Sequence, residues 1–338
     1  MTINPELLKR LVRAFIERDD RGFMSAVRQI VSGQRRQGHL RVADDLTDLL
    51  SRGSAQSHKA TALPSAPRSQ RDASSLIEVR QPSHRFDEVV LSHETESHVR
   101  RVVAEFAQRE RLSHHGLRPK LKLLFFGPPG NGKTLTAHVL ASELGLPLFY
   151  VRFDALVASY LGETSSNLRR VFEFAEQQSG VLLLDEFDAI GKTRDDPRDV
   201  GELKRVVNSF LQMLDNYQGQ SPIVAATNYE RVLDYALWRR FDAVIHFPEP
   251  DEAQIERYLR QRISSVPHSS FDVSSAAQLC AGMSYAEVAR VFTDALKSVI
   301  ISGERSLTIE SFKREVEQAR IVQAIRGSAA GPPSRPRA

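Results

Sequence analysis

The sequence predicts an α/β fold, a doubly wound parallel sheet with helices on both faces, followed by a C-terminal helical lid and preceded by a small N-terminal helical bundle. Three observations predict it. Between residues 85 and 250, short apolar runs alternate with amphipathic helical patterns, as strands joined by helical crossovers do. One run, at 121–126, leads into the glycine-rich octapeptide 127–134 (Gly-Pro-Pro-Gly-Asn-Gly-Lys-Thr) and then into a helical pattern at 135–144. Another, at 181–184, ends in the adjacent acids Asp185 and Glu186.

Taken in chain order, residues 1–50 space their apolar side chains helically, with Leu7, Leu8, Leu11 and Phe15 opening the pattern and Leu46, Leu49 and Leu50 closing it, which predicts two or three packed helices. The first stretch carries Glu6, Lys9, Arg10 and Arg13, so it is amphipathic and lacks the apolar core of a signal peptide. Residues 51–84 turn to Ser, Ala, Gln, Arg and Pro without apolar periodicity and read as a flexible linker. Within 85–250 the candidate strands are 122–126, 148–152, 180–184, 223–226 and 243–246. Residues 251–326 are mostly helical, at 252–263, 273–280, 285–301 and 309–325, and too short for a large core of their own, which predicts a lid docked on the preceding domain. The Pro/Gly/Ser/Arg-rich residues 327–338 read as a disordered tail.

Bulk properties narrow the class. The 338 residues suffice for about two domains, and 41% hydrophobic with 26% charged residues is ordinary for a globular protein. A single cysteine, Cys280, excludes a disulfide framework and a cysteine-rich zinc module and fits a reducing cytoplasm. No run approaches the roughly 20 apolar residues that a membrane span needs. The net charge of +4 is spread along the chain without a basic block.

The octapeptide matches G-x-x-x-x-G-K-[ST], the P-loop. Its glycines free backbone N–H groups to cradle phosphates, Lys133 reaches the β- and γ-phosphates, and the Thr134 hydroxyl holds Mg²⁺. The helix that follows turns its N-terminal dipole towards the anion. A nucleoside triphosphate and Mg²⁺ are therefore the expected ligands. Asp185 is assigned to the magnesium and Glu186 to water activation, since an acid at the end of a strand holds the metal and the next polarises the attacking water. Asn228 follows an apolar strand where an amide helps place that water. Arg239 and Arg240 read, on chemistry alone, either as guanidiniums completing a neighbouring phosphate site or as a solvated pair bridged to Asp242. Tyr160-Leu161-Gly162, before a helix at 166–176, is either an exposed aromatic grip or a Tyr packed beneath the helix. Residues 192–196 (Lys-Thr-Arg-Asp-Asp) form a charged loop, either functional or merely solvated. His93 and His98 stand in H-E-x-x-x-H, at i and i+5, off the common helix face that a zinc site needs.

Read together, 127–134, 181–186, 225–228 and 233–242 closely resemble the AAA ATPases, the branch of the AAA+ superfamily that includes spastin, katanin and the membrane-bound bacterial unfoldase-proteases. The match extends to Phe86-Asp87-Glu88-Val89-Val90, similar to the family segment packed near adenine, and to Gly282-Met283-Ser284 in the lid. The resemblance implies nucleotide contacts from Pro129, Gly130, Asn131, Gly132, Lys133, Thr134, Leu135, Val90 and Gly282. It makes Asn228 a sensor, Arg239 and Arg240 fingers acting on the next subunit's ATP, and Tyr160, Leu161 and Gly162 a pore loop of a homo-hexameric ring. Two departures stand out. Leu91-Ser92-His93 replaces the usual glycine after the adenine segment, and R-R-F, as in the spastin and katanin branch, replaces the common R-P-G-R-F.

The expected function is that of a bacterial-type, stand-alone, cytoplasmic protein remodeller that threads polypeptide through a central pore, with the N-terminal helices recruiting a protein substrate or adaptor. With no protease site in the sequence, proteolysis would need a partner in trans. Some bacterial AAA ATPases of this compact layout resemble partners of a separately encoded subtilisin-like protease in phage defence. The other class is a nucleic-acid-linked ATPase, a helicase loader or transposition regulator. The modest basic excess permits it, while the missing helix-turn-helix and the weak charge clustering weigh against it.

Overall fold

The computed structural model describes residue 30 and residues 66–68, 75–157, 161–187, 200–228, 238–264, 271–303 and 306–329. The chain divides into residues 1–65 and residues 66–338, and the predicted bundle at 1–50 lies outside the described residues except for Ile30, which is helical. The second unit carries a sheet, the helices on its two faces and a helical lid.

Six strands form one sheet in the order β1-β3-β4-β5-β2-β6. They are β1 (Ile77–Arg80), β2 (Lys122–Phe126), β3 (Leu148–Val151), β4 (Val181–Leu184), β5 (Ile223–Thr227) and β6 (Ala243–His246). All pairings are parallel except β1 with β3. The five predicted strands are present within a residue at each end. Their near-continuous apolar runs are what a sheet buried on both faces requires, and every residue of β4 and β5 is buried.

The sixth strand corrects the linker reading at its C-terminal end. Ile77–Arg80 pairs antiparallel with β3, and Leu76 and Ile77 are fully buried against the core. Its physical cause is the alternation Ile77-Glu78-Val79-Arg80, an edge-strand pattern four residues long that the polar composition on its N-terminal side conceals.

Helices α1 (His93–Ala107) and α3 (Lys133–Glu143) lie on one face, where Val99, Val102, Ala137 and Leu140 pack on Leu123, Phe125, Leu183 and Val224. On the other, α5 (Leu161–Gln177) and α6 (Val200–Asn216) bury Leu168, Val171, Phe172, Phe210 and Leu214 against Leu124, Phe149, Leu182 and Leu184. Two short helices, α2 (Arg109–His114) and α4 (Phe153–Val157), complete this part. The helix predicted at 166–176 begins earlier, so Leu161 and Gly162 belong to its first turn, where Glu163 complements the helix dipole.

The lid comprises α7 (Glu252–Ile263), α8 (Val273–Leu279), α9 (Tyr285–Ser302) and α10 (Ile309–Ala329) around a core of its own that includes Leu259, Met283, Val291 and Phe312. Capping boxes start α7 at Asp251 and α9 at Ser284, while Gly303, left-handed at φ 73°, ends α9. Helix α10 continues through Ala329, so residues 327–329 are helical rather than part of a disordered tail. Arg320–Gly327 supplies four good helix formers and carries the helix past the predicted end. Residues 330–338 lie outside the described residues.

Candidate functional site

The glycine-rich turn leaves the C-terminal end of β2, flanked by β5 and β6, and enters α3. Gly127, at φ 138°, passes so close to β6 that a Cβ there would stand 2.2 Å from the Phe247 carbonyl oxygen. Gly130, at φ 81°, has no room either, since a Cβ would meet Ala286 Cβ and Ser284 Oγ at 2.9 Å. The lid therefore touches the turn directly, and Ala286 N–H donates to the Gly130 carbonyl at 3.1 Å.

Lys133, 6% exposed, donates from Nζ to the carbonyls of Gly127 (2.7 Å) and Pro128 (2.8 Å), which keeps its charge inside the turn. The Thr134 hydroxyl donates to Asp185 Oδ2 at 2.7 Å across the gap between α3 and β4. Asn228 directly follows β5 and is half-buried, one strand over from Asp185. Lys133, Thr134, Asp185, Glu186 and Asn228 thus gather at the C-terminal ends of β2, β4 and β5.

Glu186 is exposed and sits at φ 52°, the one non-glycine residue with positive φ among the described residues. A left-handed residue with a Cβ costs roughly 1–2 kcal/mol. Phe187 sustains it, buried against Phe210 at a 4.5 Å centroid distance and donating its N–H to the Ala226 carbonyl at 2.9 Å. Strain stored beside a carboxylate aimed into solvent is a mark of a working residue rather than a packing one.

These residues fit a nucleoside triphosphate with a divalent cation. Asn131 is 2% exposed, yet its Oδ1 and Nδ2 have no hydrogen-bond partner among the described residues. Such an amide costs about 1–3 kcal/mol unless something else bonds to it. Thr134 and Asp185 offer the hard oxygen donors that Mg²⁺ selects. Held there by Thr134 and Asp185, Mg²⁺ would neutralise phosphate charge.

Val90 is 3% exposed, between two ties to the lid, from Gln261 Nε2 to the Asp87 carbonyl (3.0 Å) and from Arg257 to the Leu91 carbonyl (3.3 Å). Pro129 lies within the turn and Leu135 just after it, in the first turn of α3. Gly282 is exposed in a left-handed turn at φ 78° with nothing near its Cβ position, and it is Ser284 and Ala286, two and four residues on, that meet the phosphate loop. The sequence carried that signal unread, because Ser284-Tyr285-Ala286-Glu287 is a capping-box pattern. Glu287 accepts from Ser284 N–H at 2.9 Å and from Gln323 Nε2 of α10 at 2.6 Å. Burial raises its pKa, but these bonds outweigh that and hold the carboxyl below its ordinary value.

The second missed feature is Arg80, at the end of the unpredicted strand. Its guanidinium stacks 4.0 Å over the Tyr150 ring, pairs with Glu78 at 2.7 Å and feels the charge of Asp185. Burial first, then Asp185, raises the Tyr150 phenol, and burial with Arg80 and His84 lowers the His138 imidazole.

Arg239 and Arg240 lie on a turn closed by Phe241 N–H to the Trp238 carbonyl at 3.3 Å. Arg240 Nε donates to Asp215 Oδ2 at 2.8 Å, and Asp242 Oδ2 accepts the N–H groups of Leu121 and Lys122, both at 2.9 Å. Arg240 thus pairs with Asp215, where a bridge to Asp242 was one of the alternatives, and Asp242 caps the approach to β2. Tyr160 and residues 192–196 lie outside the described residues. His93 and His98 are both exposed on α1, and no cluster of metal-ligating residues occurs among the described residues.

Comparison with known proteins agrees with this geometry. Residues 123–249 match the ATPase family associated with various cellular activities (AAA). The chain is 39% identical over 313 residues to an uncharacterized AAA family ATPase, y4kL, of Sinorhizobium fredii, covering 92% of this chain and 94% of that one. It is 30% identical over 268 residues to the ATP-dependent zinc metalloprotease FtsH of a Sulfurovum species, and 30% over 270 residues to FtsH 3 of Sphaerobacter thermophilus. These alignments cover 77% and 78% of this chain but only 39% and 53% of the two metalloproteases.

Proposed function

The chain belongs to the AAA ATPases, and from that premise we propose that it is a protein remodeller that hydrolyses ATP between the subunits of a homo-hexameric ring and draws polypeptide through the pore. One observation carries the subunit-sharing part. The phosphate loop leaves the C-terminal end of β2, whereas the arginine turn is tied by Asp242 to Leu121 and Lys122 at its N-terminal end. Four strand steps of about 3.3 Å separate the two ends by about 13 Å. A guanidinium on that turn serves a neighbour's phosphates better than its own.

In this reading Lys133 and the loop N–H groups hold the phosphates, Thr134 and Asp185 hold Mg²⁺, Glu186 takes the proton of the attacking water, and Asn228 orients it. Val90 and Gly282 border the base. The arginines supply positive charge as negative charge develops, worth 10³–10⁵ in rate in enzymes of this type. Tyr160, with Leu161 and Gly162, grips polypeptide by apolar contact, and residues 1–50 recruit the substrate or an adaptor. The similarity to proteins named as ATP-dependent metalloproteases supports an unfolding role, with any protease, subtilisin-like or otherwise, supplied by another chain. No helix among the described residues is long and apolar enough to cross a membrane.

The test is a substrate trap. Glu186→Gln should bind ATP without turning it over, assemble into a ring and retain polypeptide that Tyr160→Ala in the same background releases. Nucleic acid held regardless of Tyr160 would transfer the protein to the helicase-loader and transposition-regulator class.

A further inference from the structure

We infer that Arg257 and Gln261 of α7 are positioning residues that clasp residues 87–91 to the lid, hold Val90 against the bound base and so set how fast nucleotide leaves. The inference rests on the reading that Val90 borders the base, and it names what keeps that border in place.

The segment is extended, with Val89 at φ −117° and ψ 131°. In an extended chain successive side chains point to opposite sides. Val89 and Leu91 pack into the core with Val99 and Val102 of α1, which turns Val90 the other way. Val90 is 3% exposed and yet belongs to no core, neither those on the two faces of the sheet nor that of the lid.

Two donors on one helix face reach this segment from the lid. Arg257 Nη2 donates to the Leu91 carbonyl at 3.3 Å and Gln261 Nε2 to the Asp87 carbonyl at 3.0 Å. Residues four apart on a helix are neighbours on its surface, and the two carbonyls are four residues apart as well, so the pair brackets Val90. The Arg257 guanidinium also stands 4.0 Å from the Glu96 carboxylate of α1. Ile255, Leu259 and Ile263 anchor α7 in the core of the lid. Tyr258 meets Tyr285 at 5.5 Å, and the Tyr285 O–H donates to Gln254 Oε1 at 3.5 Å, which joins α7 to the start of α9 that rests on Gly130. The lid thus holds the body of the fold at two places, the phosphate loop and the base segment.

These ties add little to the stability of the fold. Arg257 is 50% exposed, Gln261 is exposed, and body and lid each keep a core without them. What they control is the gap between lid and body beside the base, and opening of that kind limits turnover in many enzymes.

The test is release of N-methylanthraniloyl-ADP from the full chain, chased with excess ATP, beside steady-state ATPase rates and melting curves without nucleotide. Methionine keeps the stem of either side chain and removes its donors. Arg257→Met and Gln261→Met should each speed release about 3- to 10-fold, the weight of one net hydrogen bond, and raise KM for ATP, with kcat level or higher and the melting temperature within about 2 °C of wild type. Arg257→Lys, which keeps a donor, should restore slow release. Arg260→Met, on the same helix but paired with Glu256 within it, should leave release unchanged.

Unchanged release in both methionine variants at 257 and 261, or equal acceleration by Arg260→Met, would overturn the clasp. So would a fall in kcat with release unaltered, which would mark a merely structural role. Val90→Ala separates the clasp from the reading beneath it. Faster release there, without an effect of Arg257→Met or Gln261→Met, would leave the base border standing and remove the clasp. Unchanged release in Val90→Ala would remove the border and the clasp together.

Discussion

The phosphate cradle and the arginine turn are both anchored on β2 and are held by different kinds of contact. The cradle is built from backbone at positions that exclude a side chain. Gly127 is pressed on Phe247, Gly130 on Ser284 and Ala286, and the Lys133 ammonium is enclosed by carbonyls of its own turn. The arginine turn is built from side chains at the surface, an ion pair, two bonds to backbone N–H groups and an edge-on ring pair. A cradle of the first kind has few alternative conformations and responds to a change by losing stability. A turn of the second kind tolerates change thermodynamically and expresses it as rate.

Glu186 is where the comparison should break most visibly, because it belongs to the cradle and yet is strained. Glu186→Asn removes the carboxylate and puts in a residue that tolerates the left-handed conformation. Turnover should fall about 10²–10⁴-fold, with the melting temperature unchanged or higher by the equivalent of up to about 1 kcal/mol. A lower melting temperature would mean that φ 52° is relaxed in solution and that the strain argument fails.

Gly127→Ala should follow as the largest loss of stability. A Cβ 2.2 Å from a carbonyl oxygen cannot be relieved by a side-chain rotation, because the Cβ position is fixed by its own backbone and the oxygen belongs to another. A cost of about 3 kcal/mol or more is expected, with ATP binding lost by titration. A variant that binds ATP normally would show that the junction of β2 and β6 is looser than it stands.

Most of the cradle was legible in the sequence because its chemistry demands residue types at fixed spacing. Gly, Lys and Thr at 127–134 and the acids after 181–184 leave few alternatives, and strands buried on both faces spell themselves as apolar runs. Three things were not legible. The edge strand at 77–80 has only four residues and no second face to bury, so its pattern is lost beside a polar stretch. The Asp215–Arg240 pair joins residues 25 apart in sequence through the end of one helix, and nothing local marks it. The lid contact at Ser284 and Ala286 was visible only as a helix start. That the start lands on Gly130 is a fact of tertiary packing.

On the turn itself, Asp242→Ala removes an acceptor shared by two N–H groups that water can partly replace. The expected cost is about 1 kcal/mol, readable as a small drop in melting temperature, with a proportionally larger loss in kcat because the arginines lose their strap. Equal losses in stability and rate would place Asp242 with the cradle instead.

The smallest effect concerns the border between the cradle and the edge strand. His138 lies one helical turn after Thr134, and burial, reinforced by Arg80 and His84, holds its imidazole below the ordinary value while Asp185 opposes them. The sign follows from proton uptake. At neutral pH the ring is uncharged in both the folded and unfolded chains and contributes nothing pH-dependent. As the pH falls through the ordinary histidine value near 6.5, the unfolded chain takes up a proton that the folded ring still refuses, so stability is lost until the folded ring also titrates. The melting temperature of wild type should therefore fall more between pH 7.5 and 5.5 than that of His138→Gln. Added salt should narrow the gap, since the share due to Arg80 and His84 is screened while the share due to burial is not. A gap of the opposite sign would mean that Asp185, and not the neighbouring cations, sets the field at this ring, and that Arg80 belongs to the periphery of the site.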